Sequence, residues 1–110
     1  MILPNGENAF VDIAKIEGYC LNLAHPEGRH KARVFQSVLG LTVNDAEWLR
    51  DAMISAALTH PAQQTEADQY GVRYNLDFEL TFKSRSAIIR ACWIIRANEN
   101  YPRLTTCYIL

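Results

Sequence analysis

The sequence contains no apolar run near the roughly 20 residues that a membrane-spanning helix needs. Its first residues, MILPNGENAF, lack the basic start and apolar stretch of a signal peptide, so a cytoplasmic protein is expected. Cysteine is scarce: Cys20, Cys92 and Cys107 are odd in number and show no CxxC spacing. That argues against a disulfide framework and against a zinc site. HExxH, GxSxG and a phosphate-binding glycine loop are all missing, so no metal or cofactor is expected. Repeats, low-complexity runs and an interdomain linker are absent too.

What is present suits a single domain. The 110 residues are 49% hydrophobic and 21% charged, enough for a modest core. The net charge of −1 hides a segregation: −2 over residues 1–24, +2 over 25–40, −5 over 41–80 and +4 over 81–110. Such asymmetry fits two halves that attract each other, and it also fits an anion-binding side.

The first half reads as helices and the last third as strands, an α+β pattern with two to three helices on one face of an antiparallel sheet of three to four strands. A short strand is expected at residues 9–11. Asp12 can cap a helix over DIAKIEGYCL, interrupted at Gly18. A second helix begins near Pro26 or Gly28 and stops at Gly40. Thr42 caps the third, with Asp45 placed to complete a capping box, and that helix ends before His60-Pro61. At helical spacing Ala46, Trp48, Leu49, Ala52, Met53, Ala56 and Ala57 share one face. Ile54 and Leu58 fall outside it, as frayed-end apolar residues or as a small partner contact. AQQTEADQ, residues 62–69, reads as a polar loop.

The strongest periodicity follows. In VRYNLDFELTF, Val72, Tyr74, Leu76, Phe78, Leu80 and Phe82 alternate with polar residues, as in a strand buried on one face. AIIRACWIIRA and RLTTCYIL supply two more strands. A four-residue turn at KSRS would set Phe82 opposite Ala87, Glu79 opposite Arg90, and Arg73 opposite Arg96. The last pairing carries a like-charge cost. The outer face would then carry Arg73, Asp77, Glu79, Arg90 and Arg96.

Positive charge gathers in HPEGRHKARVF, residues 25–35. Arg29 and Arg33 lie opposite the apolar arc of Ala32, Val34, Phe35, Val38 and Leu39, but Lys31 falls inside that arc. Cations in a first helical turn also oppose the macrodipole. Three arrangements are open to Lys31: reaching solvent, pairing with Glu27, Asp77 or Glu99, or holding a phosphate with the helix start. His30 can move a proton near neutral pH. His25 reads as a loop or cap residue and His60 as a turn residue. Cys107, in a strand, is expected to be buried and inert. Trp93 is expected in the core. Tyr101 and Tyr108 can stack on bases, and Arg90 and Arg103 join the candidate anion-binding set.

The combination of LPN near the start, GYCLN and HPEGRHKARVFQSVLG, then DAEWLR, YGVRYNLDFEL and YPRLTTCYIL resembles an uncharacterised bacterial domain family of about this length, over the whole chain. Its members look like standalone small proteins or C-terminal modules of polymorphic-toxin-like and phage-associated proteins. At fold level the pattern is similar to the barnase/EndoU/colicin/RelE group of small ribonucleases. There His30, Lys31, Phe35 and Gly40 match a tRNA-cleaving colicin pattern. The resemblance implies a metal-independent ribonuclease in which a 2′-hydroxyl attacks the adjacent phosphate. His30 would move the proton, and Lys31, Arg73 and Arg96 would stabilise the charge. Arg29, Arg33, Arg90, Arg103 and Tyr108 would bind the nucleic acid or another anion. Two other readings stay open: a non-catalytic interaction module, pairing with a small antitoxin-like protein or with itself as a homodimer, and an anion-binding domain.

Overall fold

Three helical segments precede a four-stranded sheet in a computed structural model that describes residues 1–110. Helix α1 (Ile13–Lys15) runs on into a π-turn, Ile16–Cys20. Asp12 starts it as expected, its carboxylate accepting the Ala14 N–H at 3.0 Å. Helix α2 (Arg29–Val34) likewise continues through a π-turn, Phe35–Leu39, and stops at Gly40, whose φ of 77° is the left-handed cap geometry glycine favours. Helix α3 (Ala46–Thr59) follows a short 3₁₀ turn, Val43–Asp45, and the Thr42–Asp45 capping box is formed.

The strands are β1 (Gln63–Asp68), β2 (Gly71–Phe82), β3 (Arg85–Arg96) and β4 (Arg103–Ile109), antiparallel in the order β1-β2-β3-β4. The helices cover one face. Phe35, Leu39, Leu49 and Met53 from the helical layer meet Leu76, Phe78, Ile89, Ala91 and Trp93 from the sheet in one continuous core. The α3 face is close to the expected one: Ala46, Leu49, Met53, Ala56 and Ala57 are buried. Trp48 stays 40% exposed but lies edge-on to Phe82 at 4.8 Å between centroids. Ile54 packs against the core, while Leu58 is exposed.

Three expectations are corrected. Residues 62–69 are not a loop, for β1 occupies most of them. Every β1 residue is exposed, so an edge strand with no buried face carries no hydrophobic alternation to read. The segment at 9–11 is reduced to a single parallel bridge between Phe10 and Arg103. Third, the β2–β3 hairpin closes through two residues, Lys83 and Ser84, with Phe82 opposite Arg85. Lys83 adopts a left-handed φ of 56° to make this turn. Pairing therefore moves by two residues from the expected register, which leaves every side chain on its expected face. The tighter turn sets Asp77 opposite Arg90 and Arg96 opposite Gly71, so the arginine–arginine pair never forms. Thr81 and Ser86 gain a hydroxyl hydrogen bond at 2.8 Å beside the turn.

Candidate functional site

The helix bearing the basic cluster reaches the sheet at its β4 edge. Lys31 leaves α2 half-buried, and its ammonium donates to the Tyr19 hydroxyl at 2.8 Å. It lies 4.8 Å from the Tyr19 ring centroid and 5.7 Å from that of Tyr108, both within cation–π range. None of the carboxylates expected for it pairs with it: Asp77 is taken by Arg90, Glu99 by Arg103, and Glu27 makes no ion pair with Lys31. Burial is the largest single influence and lowers the Lys31 pKa, but the Tyr19 hydrogen bond together with the charges of Tyr19, Cys20 and Tyr108 raises it on balance, so the ammonium form is favoured.

Tyr108 carries the arrangement round the sheet edge. It pairs with Arg90 across β3–β4, on the face turned away from the helices. Arg90 grips Asp77 with two bonds, Nε to Oδ1 at 2.8 Å and Nη2 to Oδ2 at 2.9 Å. This bidentate fork holds the guanidinium above the ordinary arginine value, with a smaller contribution from the Tyr108 hydroxyl. It holds the Asp77 carboxyl below the usual carboxylate range. One ammonium, one guanidinium and two phenols thus converge from α1–α2 and the sheet.

The backbone behind Tyr19 is pinned by His25 and Gly28. His25 Nδ1 accepts the N–H groups of Glu27 at 3.0 Å and Gly28 at 2.9 Å, so the neutral ring carries its proton on Nε2. His25 is therefore a cap, as expected, and it occupies backbone donors near the start of α2 that a phosphate would have used. Its ring meets Tyr19 edge-on at 4.8 Å. Gly28 is required here: a Cβ at this position would collide with the Tyr19 carbonyl oxygen. Beside these residues a polar cleft of about 620 Å³ opens between Asp12, Lys15, Tyr19, His25, Glu27 and the β4 threonines 105 and 106.

The remaining candidates are dispersed. His30 is exposed on α2 with no hydrogen-bond partner, as are Arg29 and Arg33, which form no ion pair. Arg73 pairs with Asp68 at 2.7 Å. It sits four residues from Asp77 along β2, about 13 Å at 3.3 Å per residue. Arg96, six residues from Arg90 on β3, is about 20 Å away and exposed. The structure thus gathers Lys31, Tyr108 and Arg90, and leaves Arg73 and Arg96 at the far end of the hairpin. Arg103 is bound by Glu99 at 2.8 Å and by the Tyr101 hydroxyl at 2.9 Å. His60 lies beside Phe78, with 5.5 Å between ring centroids.

Tyr19 belongs to no motif in the sequence. The available signal was its place twelve residues before Lys31, on the neighbouring helix. Two thiols far apart in sequence also meet. Cys20 and Cys107 are both buried, and Cys20 Sγ lies 3.7 Å from Thr106 Oγ1. The Cys107 thiol stabilises the Cys20 thiolate, whose pKa falls to about 7 against the opposing effect of burial. Cys107 is correspondingly pushed up. No three His, Cys, Asp or Glu side chains gather as metal ligands, and no helix is long and apolar enough to cross a membrane.

A family model described as Domain of unknown function (DUF6883) matches residues 2–110. No curated protein matches the chain. A solved structure described as "Contact-dependent growth inhibition toxin - immunity protein complex from Klebsiella pneumoniae 342" contains a chain that superposes with a TM-score of 0.70. The match covers 96% of this chain and 96% of that chain at 14% sequence identity, a likeness of fold.

Proposed function

We propose, for a chain that belongs to the DUF6883 family, that it is a toxin-class domain which cleaves RNA without a metal ion. The observation that carries this reading is Lys31: a half-buried ammonium with no carboxylate partner, reaching over the β4 edge towards Tyr108 and Arg90. A phosphodiester placed between these groups meets one ammonium free of any carboxylate, a phenol, and a guanidinium already paired with Asp77. In the reaction a 2′-hydroxyl attacks phosphorus and the bond to the 5′-oxygen breaks, leaving a cyclic phosphate and a 5′-hydroxyl. This reading assigns the 2′ proton to His30, which is exposed on the same helix and is reached by the substrate rather than by the Lys31 cluster itself. Tyr108 returns one to the leaving oxygen. Lys31 and Arg90 stabilise the extra negative charge of the transition state. Arg90 comes already oriented by Asp77, and that preorganisation is what charge stabilisation requires.

The likeness of fold to a chain in a toxin–immunity complex is consistent with a toxin-class role and with a protein partner. The test is RNA integrity and growth on induced expression, for the wild type and for Lys31→Ala, Tyr108→Phe and His30→Ala. RNA degradation that Lys31→Ala reduces by at least a hundredfold is expected, one charge-stabilising donor contributing about 10²–10³ in rate. Intact RNA and normal growth with the folded wild type refute the reading. One feature favours a second, non-catalytic reading, pairing with a small antitoxin-like protein. The outer edge of β1 is unpaired and wholly exposed, as suits strand addition by a partner. Tight association with a small protein encoded beside the gene, with no RNA cleavage, selects that reading.

A further inference from the structure

A second cleft opens near the other end of β4. It encloses about 430 Å³ between Asn8, Phe10, Asn100, Tyr101 and Arg103. Phe10 is 41% exposed, although its backbone is fixed: its N–H bonds the Pro102 carbonyl at 2.9 Å, and its carbonyl accepts the Leu104 N–H at 3.0 Å. The backbone that carries this aromatic ring is therefore anchored while much of the ring remains open to water. The Arg103 guanidinium lies over the Phe10 ring at 4.9 Å and over that of Tyr101 at 5.6 Å. Glu99 holds Arg103 at 2.8 and 3.3 Å and also accepts from the Tyr101 hydroxyl at 3.0 Å.

This is a preorganised platform of flat faces. Glu99 pairs with its one cation through two bonds, so what the cleft offers a ligand is chiefly its flat faces. It suits an aromatic heterocycle that stacks on rings and guanidinium. The exposed side chains of Asn8 and Asn100 supply amide donors and acceptors for that heterocycle's polar edge. Arg103 and Tyr108 stand five residues apart on one strand, about 17 Å at 3.4 Å per residue. That span takes no more than about five nucleotides at a stacked spacing near 3.4 Å.

We propose that this cleft is a subsite for one unpaired nucleobase of single-stranded RNA, whose chain runs along the β4 edge to the Lys31–Tyr108–Arg90 site. The choice of RNA rests on the reading above, but the subsite is tested without cleavage. The probe is a fluorescent hexanucleotide with 2′-O-methyl sugars, which has no free 2′-hydroxyl to react. Phe10→Leu and Tyr101→Leu keep apolar bulk and remove one stacking face each, and thermal melts confirm that each variant folds. Each is expected to weaken binding by about 5- to 150-fold, the contribution of one stacked base. Phe10→Trp is expected to retain it. Cleavage of a dinucleotide, too short to reach the cleft, is expected to be unchanged in both leucine variants. Binding within twofold of wild type in both leucine variants overturns the subsite, as does a wild type that binds a free mononucleotide but not the strand. RNA left intact by a wild type whose strand binding does respond to Phe10→Leu sinks the cleavage reading and leaves the subsite standing.

Discussion

Replacing Tyr19 by phenylalanine removes one oxygen from beneath Lys31 and leaves the ring in place. If the 2.8 Å contact orders the site, that oxygen is worth a measurable amount. A hydrogen bond to a charged group contributes about 1.5–3 kcal/mol. Lys31 is only half-buried, so water recovers part of this and a loss of about 1 kcal/mol is expected for Tyr19→Phe. Lys31→Met keeps most of the side-chain volume. It loses the same bond together with the longer contact to the Tyr108 ring at 5.7 Å, worth up to about 0.5 kcal/mol. Relief of lysine desolvation offsets some of that, so the net cost is about 1 kcal/mol. The decisive quantity is the coupling in the double mutant, expected at about 0.5–1.5 kcal/mol. Urea unfolding at pH 7 measures it as shifts of the midpoint at constant slope. Single and double mutants that add to within about 0.3 kcal/mol would show that the two side chains do not act together. The account of Lys31 would then fail.

Other consequences are open to test. Asp77 has a folded pKa below its unfolded value, so its contribution to stability is present above about pH 4 and lost as pH falls through the folded pKa. With Asp77 40% and Arg90 33% exposed, that contribution stays under about 1 kcal/mol. Acid titration of Asp77→Asn should therefore give a flatter stability curve than wild type below about pH 4. Gly28→Ala drives a methyl group into the Tyr19 backbone and is expected to cost about 2 kcal/mol or more, whereas Gly18→Ala meets nothing within 4 Å and should gain about 0.5–1 kcal/mol. Thermal melting of the two variants should move in opposite directions. Thiolate absorbance should rise on titration through about pH 7 in the wild type, and Cys20→Ser should abolish that step.

The parts of the fold that could be read from the chain are those whose signal is local. Asp12 and the Thr42–Asp45 box bond backbone groups two or three residues away, so residue type and spacing suffice to place them. Alternation in VRYNLDFELTF assigns Tyr74, Leu76, Phe78 and Leu80 to the core because strand faces repeat every two residues. The hairpin register was harder, because a shift of two residues preserves that alternation. Only the balance between a two-residue turn and the competing pairs around Arg90 and Arg96 separates the alternatives. Strand β1 had no signal at all, since nothing on it is buried.

The candidate site divides along the same line. Sequence placed Lys31 on the apolar arc of its helix and basic groups at residues 25–35; of that arc Ala32, Phe35 and Leu39 are buried, while Val34 and Val38 stay exposed because the helix widens into a π-turn after Val34. Sequence could not say which partner Lys31 meets. Tertiary structure decided that, by bringing α1, α2 and the β4 edge together so that Tyr19 and Tyr108 flank the ammonium. The same packing left Arg73 and Arg96 at the opposite end of the hairpin. The physical reason is the range of the interactions. Caps and strand faces follow from neighbours along the chain. The surroundings of a half-buried charge depend on which distant segments pack against it, and that is settled only when the whole core closes.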